Sequence, residues 1–238
     1  MLPKERSKVK RKNPRILLLF GKPKIGKSTI TAGLDNNLII DLEKGTDFLE
    51  ALSIQANNLS ELKAVTEEIR AAGMPYKYIT VDTVTILQDM VLGYAGKLYK
   101  DTIQGKNWSG DSVIKLPNGA GYQFLREAFF KVIDEICGLA DHIILIGHLR
   151  DKLINKVGEE LSAAEIDLTG KISSILSAKA DAVGYVYRKD NQNLINFKPS
   201  DQIICGTRIN HLANKQIIIS ESNDKGEVKT YWDRIYVK

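Results

Sequence analysis

Eight residues near the N-terminus, Gly21-Lys22-Pro23-Lys24-Ile25-Gly26-Lys27-Ser28, follow the spacing G-x-x-x-x-G-K-[ST], and Thr29 adds a second hydroxyl. That spacing suits the holding of a polyphosphate. Gly21 and Gly26 let the backbone curl so that successive N–H groups converge on phosphate oxygens. A helix beginning near Lys27 aims its positive end at the same oxygens. The Lys27 ammonium would bridge the last two phosphates of a nucleoside triphosphate, and the Ser28 hydroxyl would ligate Mg²⁺.

Two carboxylates stand where such a site needs them. The apolar run Tyr78-Ile79-Thr80-Val81 ends at Asp82, and an open α/β sheet places its ligands at the C-terminal ends of its strands. Asp82 there can hold Mg²⁺ opposite Ser28; it could equally cap the helix that follows. In Leu38-Ile39-Ile40-Asp41-Leu42-Glu43, a second apolar run ends in Asp-x-Glu. Glu43 can reach a water aligned on the γ-phosphate, the group that phosphoryl transfer to water requires. A solvated loop glutamate is the alternative.

These side chains need a sheet to carry them. Arg15–Phe20, Asn37–Asp41, Tyr78–Val81 and His142–Gly147 read as buried parallel strands. Helices are expected at Lys27–Leu34, Leu59–Ala72, from Asp82 through Tyr99, over Tyr122–Gly138, and from Asp167 to Lys179. Residues 100–119 and 150–167 read as long loops. Ala182–Arg188 and Leu194–Lys198 flank Asp190-Asn191-Gln192-Asn193, a hairpin signal. Gln216–Ser220 and Thr230–Val237 could add edge strands. The pattern predicts an α/β fold: a mainly parallel central sheet flanked by helices, extended by C-terminal antiparallel strands.

Charge divides the chain unevenly. Residues 1–15 carry Lys4, Arg6, Lys8, Lys10, Arg11, Lys12 and Arg15 against Glu5, a net of +6; the whole chain carries +5, so residues 16–238 sum to −1. This implies a flexible basic arm over residues 1–14 and a near-neutral globular domain over 15–238. Such an arm can meet nucleic-acid phosphates or serve as a solvated tail. No apolar run reaches the roughly 18 residues of a membrane span, and no signal-length apolar stretch precedes Ile16. Two cysteines, Cys137 and Cys205, suit a reducing cytoplasm.

Phosphate loop, Asp41-Leu42-Glu43, Asp82-Thr83 and an apolar strand ending at His148 follow one another in the order of the RecA-like P-loop NTPase core, which this chain resembles. Gly-Lys-Pro-Lys-x-Gly-Lys-Ser with Asp-Leu-Glu-x-Gly-Thr is similar to compact phage-encoded single-strand-annealing and recombination ATPases, the AAA-domain nucleotide-binding proteins. The resemblance covers residues 15–210. It implies Mg²⁺-dependent ATP hydrolysis with Glu43 as base, and His148 as γ-phosphate sensor where recombinases commonly carry Gln; a strand-end core histidine is the alternative. It implies a homo-oligomer, ring or filament, and a bacterial host cytoplasm if the protein is phage-encoded. Arg208, in Gly206-Thr207-Arg208, falls near the family's Lys-x-Arg finger, with Gly206 where the Lys would stand.

RecA-like cores grip single-stranded DNA with two loops, and 100–119 and 150–167 take those positions. Lys100, Lys106, Lys115 and Trp108 of the first suit phosphate neutralisation with base stacking. Arg150 and Lys152 of the second are diluted by Glu159, Glu160 and Glu165. The implied role is recombination or annealing on single-stranded DNA, with a single-strand-binding protein as a further partner. A nucleotide-gated scaffold or helicase loader and a small-molecule kinase with 150–167 as its lid are the competing readings.

Overall fold

The structure is a computed structural model that describes the backbone of residues 8–156 and 159–238, and their side chains outside 152–162. The apolar run after the arm is buried along its whole length as β1 (Ile16–Gly21). Leu18 and Phe20 enter one apolar cluster, Leu17 and Leu19 another. A strand dry on both sides must lie inside a sheet covered on both faces.

The chain continues through α1 (Lys27–Ala32), β2 (Asn37–Asp41), β3 (Ser53–Gln55), α2 (Leu59–Ala71), β4 (Tyr78–Asp82), α3 (Val84–Met90) and α4 (Leu92–Lys100). Then follow α5 (Gly121–Ile136), β5 (His142–Lys156), β6 (Glu159–Ile166), α6 (Lys171–Lys179), β7 (Ala182–Lys189) and β8 (Gln192–Asn196). The last elements are β9 (Gly206–Thr207), β10 (Gln216–Ser222) and β11 (Val228–Thr230). The sheet order is β11-β10-β8-β7-β1-β5-β4-β2-β3, parallel from β7 to β3 and antiparallel beyond β7. This is the expected α/β architecture. Helices α2 to α6 cover one face through Leu62, Leu87, Ala95, Phe129 and Leu176. The other face is closed by Ile30 of α1 together with Trp232 and Ile235 of the C-terminal tail.

Several elements depart from the sequence reading. Residues 150–167 are not a loop: β5 runs on past the sheet and pairs with β6 in an antiparallel ribbon. Cross-strand partners such as Arg150 and Glu165 supply what the polar composition concealed. The helix after Asp82 is two helices, and the stretch before α5 holds short 3-10 turns at Val113–Lys115 and Pro117–Gly119. The hairpin turn is the two residues Asp190-Asn191, with Asp190 at φ 53°. Thr230–Val237 is not a strand, because after Thr230 the chain makes a 3-10 turn, Trp232–Arg234. That turn buries Trp232, whose indole donates to the Ile30 carbonyl at 2.9 Å.

The basic arm is tied down at its end. Pro14 is buried, and the Asn13 amide exchanges hydrogen bonds with the backbone of Val237 at 2.8 and 2.9 Å. Residues 1–7 of the expected arm, Lys4 and Arg6 among them, lie outside the described residues. Lys8, Lys10, Arg11 and Lys12 are exposed. Among the described residues no helix is long and apolar enough to cross a membrane.

Candidate active site

Parallel strands in register bring the chemistry to one edge. Gly21 of β1 lies opposite His148 of β5, Asp82 of β4 opposite Ile146 of β5, and Asp41 of β2 opposite Asp82. The segment Gly21-Lys22-Pro23-Lys24-Ile25-Gly26 therefore leaves β1 at the same end of the sheet as both carboxylate-bearing strands, with β5 between them. Gly21 passes so close to β7 that a Cβ would sit 2.4 Å from the Val186 carbonyl oxygen. Gly26 turns the chain into α1 at φ 97°, a left-handed conformation that favours glycine. No side chain caps α1, so its first amides face whatever occupies the loop.

Lys27 is 7% exposed, with Nζ donating to the carbonyl oxygens of Gly21 at 3.0 Å and Lys22 at 2.9 Å. Burial pulls its pKa below the ordinary lysine value, against the pull of Asp82 and Glu43. The Ser28 hydroxyl donates to Asp82 Oδ2 at 2.5 Å. A hydroxyl and a carboxylate converging on one point, beside a buried ammonium, fit Mg²⁺ bound with a polyphosphate. Among the described residues no cluster of three or more His, Cys, Asp or Glu is placed to hold a metal alone.

Glu43 meets two partners the sequence separates widely. Its Oε1 lies 3.0 Å from His148 Nε2 and accepts from the Thr83 hydroxyl at 2.8 Å. Asp41 organises the loop that holds it there. Its carboxylate accepts from Glu43 N at 2.9 Å, Thr46 N at 2.9 Å and Thr46 Oγ1 at 2.7 Å. Burial works to raise the Asp41 pKa, but these hydrogen bonds and one from Gly45 outweigh it, leaving the group below its ordinary value. His148 is itself fixed by its backbone N–H, which donates to Thr85 Oγ1 at 3.1 Å. Around these groups opens a cavity of about 560 Å³, lined by Lys27, Ser28, Glu43, Asp82, Thr83 and His148 among others.

Burial pushes the Asp82 carboxyl up from 3.8 to about 6; the Ser28 hydrogen bond opposes this, Glu43 and Asp41 add to it, and Lys27 opposes it. The folded-state value exceeds the unfolded one. The group's stabilising contribution is thus present below pH 3.8 and is lost as pH rises through about 6. The ionised form needs a counter-charge, which a divalent cation held by Ser28 and Asp82 would supply. Mg²⁺ affinity in the presence of nucleotide should fall about tenfold from pH 7 to pH 5 beyond the change seen in Asp82→Asn. Parallel pH profiles for the two proteins would refute this.

Other expected site residues lie apart. Arg208 sits beyond β9, beside the start of β7, and donates from Nη2 to the Ala178 carbonyl at 2.5 Å. This is the sheet edge opposite the phosphate loop, about 20 Å away at the rise of a six-residue strand, so Arg208 does not reach the site of its own chain. The Arg150 guanidinium donates to the buried Glu165 at 2.6 and 2.9 Å and so serves the ribbon's own packing. The Lys152 side chain lies outside the described residues. Trp108 is partly buried, edge-on to Tyr99 at 5.5 Å, with Lys100 Nζ 5.6 Å from its ring centre. Lys106 and Lys115 are exposed, and Lys115 pairs with Asp111 at 2.7 Å.

Thr83, Asp41 and Thr46, read in the sequence only as members of motifs, and Asn193, read only as part of a hairpin, join the site with roles of their own. A hydroxyl directly after Asp82 and a carboxylate two residues before Glu43 were visible as neighbours, but their partners were not. Asn193 had no local signal. It is 7% exposed and donates from Nδ2 to the Ile25 carbonyl at 3.0 Å, clamping the phosphate loop from the β7–β8 hairpin.

No curated protein matches the chain. Among solved structures it is similar to the crystal structure of the RadB recombinase, at 10% identity and TM-score 0.48, with 92% of each chain covered. It is also similar to the KaiC-like protein PH0186 from the hyperthermophilic archaea Pyrococcus horikoshii OT3, at 13% identity and TM-score 0.47, covering 91% of this chain and 89% of that one. The parallel core carrying a phosphate-loop sequence, with antiparallel C-terminal strands, is the expected α/β architecture. Residues 13–209 match the family described as AAA domain. That span contains the phosphate loop, Glu43, Asp82 and His148, and the chain belongs to the AAA-domain family.

Proposed function

We propose that this protein is a Mg²⁺-dependent ATPase whose cycle is coupled to single-stranded DNA in recombination or annealing. The observation that carries the hydrolytic half is the Glu43 carboxylate, aimed into the phosphate-loop cavity and held by Thr83 and His148. Ser28 and Asp82 would hold Mg²⁺, which when bound would supply positive charge to the phosphate oxygens. Lys27 adds a second fixed charge to the same oxygens. Glu43 Oε1 orients the attacking water and takes its proton as the bond from water oxygen to the γ-phosphorus forms and the bond from that phosphorus to the bridging oxygen breaks, the oxygen leaving with ADP. His148 Nε2, within hydrogen-bond distance of that oxygen, can transfer its contact to a terminal phosphate. In doing so it would release Glu43 to the water.

The DNA half is supported by exposed charge. Lys97, Lys100, Lys106 and Lys115 are exposed on α4 and the segment after it, and the arm adds its own basic residues. A homo-oligomer is part of this reading, because Arg208 could act only in a neighbouring subunit's site. Hydrolysis assayed with and without single-stranded DNA tests the whole proposal. A severalfold DNA stimulation is expected. Deleting residues 1–12 together with Trp108→Ala should weaken binding to an oligothymidylate at least tenfold at moderate salt. Unchanged affinity in that variant, or turnover indifferent to DNA, would remove the DNA role. Phosphate appearing on an added metabolite would indicate a kinase instead.

A further inference from the structure

A second cavity, of about 510 Å³, lies on the other side of the phosphate loop. It shares Lys24, Gly26 and Thr29 with the catalytic cavity, so the two form one trough with the loop between them. Its far wall is made by two hairpin turns, Arg188, Asn191 and Asn193 from β7–β8, and Ser222, Asn223 and Asp224 from β10–β11.

The wall is braced. Asn193, more than nine-tenths buried, lines the groove and grips the Ile25 carbonyl. Gly26 faces it so closely that a Cβ would sit 2.6 Å from Asn193 Nδ2. The two turns are joined to each other: Arg188 Nη2 donates to Ser222 Oγ at 3.1 Å, and Ser222 N donates to the Asn191 carbonyl at 2.9 Å. Arg188 Nε donates to the Asp190 carbonyl at 2.9 Å. A groove held this way is formed before a ligand arrives, and its volume is within the ~300–1,000 Å³ usual for small-molecule sites.

We infer that this groove takes the ribose and base of the nucleotide, and that it grips the nucleoside by hydrogen bonds without strong discrimination between bases. This rests on the nucleotide reading of the phosphate loop. With the terminal phosphate at Ser28, Asp82 and Glu43, the sugar must leave the loop on the opposite side, and this groove opens there. No aromatic side chain is among its lining residues, and Val228 is its apolar contribution. Stacking is therefore replaced by hydroxyls, amides and one carboxylate. Amides and hydroxyls on exposed turns can present either donor or acceptor. Sharp selection needs fixed, desolvated partners left unpaired by the wrong ligand, and the buried amide here, Asn193, is already engaged with the loop. Asp224 offers acceptors alone, which suits the ribose hydroxyls.

Calorimetric binding of ATP, GTP and inorganic tripolyphosphate, each with Mg²⁺, tests the assignment on wild type and on a variant carrying Arg188→Ala and Asp224→Ala. Wild type should bind ATP and GTP within about threefold of each other. The variant should lose about tenfold in affinity for both, the weight of hydrogen bonds to charged groups, and keep its tripolyphosphate affinity. Unchanged ATP affinity, an equal loss for tripolyphosphate, or a wild-type preference beyond about thirtyfold would overturn the assignment. Wild type that bound no triphosphate would instead overturn the phosphate-loop reading beneath it. The single variants separate the contributions if the double variant fails to fold.

Discussion

Lys27→Ala is expected to lower ATP hydrolysis on the order of 10³-fold and to weaken Mg·ATP binding as well, since removing one preorganised charge from a phosphoryl-transfer site costs this much. Two effects combine. The first is loss of the ammonium that faces the phosphate oxygens. The second is structural, because Nζ ties the carbonyls of Gly21 and Lys22 together, and truncation leaves both without that donor inside the loop. A methyl group cannot restore either contact. Steady-state hydrolysis and calorimetric affinity, with circular dichroism to confirm folding, provide the test. A folded variant retaining more than a tenth of wild-type turnover would show that the loop is not the catalytic centre.

Glu43→Gln should separate binding from chemistry. Glutamine keeps the length of the side chain and an oxygen able to accept from Thr83, so the loop built on Asp41 and Thr46 should persist. It cannot take a proton from water, and losing a general base costs about 10²–10⁴-fold in rate. We expect kcat to fall by that factor while Mg·ATP affinity stays within about threefold, because the affected interaction exists in the transition state alone. Single-turnover measurement distinguishes slow chemistry from slow product release. If kcat held and KM rose, Glu43 would be a binding residue and some other group would align the water.

Both predictions concern residues that could be found in the sequence, and the reason is local. A phosphate loop needs its glycines, lysine and hydroxyl at fixed spacing, and buried parallel strands announce themselves as apolar runs. The runs ending at Asp41 and Asp82 gave those strand ends, the run ending at Gly147 marked where β5 leaves its parallel partners, and parallel pairing then placed Gly21 opposite His148. The β5–β6 ribbon was not legible in the same way. It projects past the sheet and sets adjacent charges, Arg150-Asp151-Lys152 and Glu159-Glu160, beside short apolar stretches, so neither a continuous apolar run nor a clean period marks it. The role of Arg150 was hidden for a related reason: its partner Glu165 lies directly across the ribbon, and an ion pair inside an unrecognised hairpin reads as two loop charges. The clamp by Asn193 joins positions 168 residues apart, which no spacing rule can reach.

That clamp does not stand alone. The Trp232 indole holds the Ile30 carbonyl, and the Thr230 hydroxyl holds that of Gly33 at 2.8 Å, so the helix after the phosphate loop is fastened by residues about 200 positions downstream. During synthesis the phosphate-loop segment is made well before the residues that fasten it. Contacts of such long sequence separation form late and slow the folding of a chain. A chain cut before Asn193 would carry every phosphate-loop residue and none of these three fasteners.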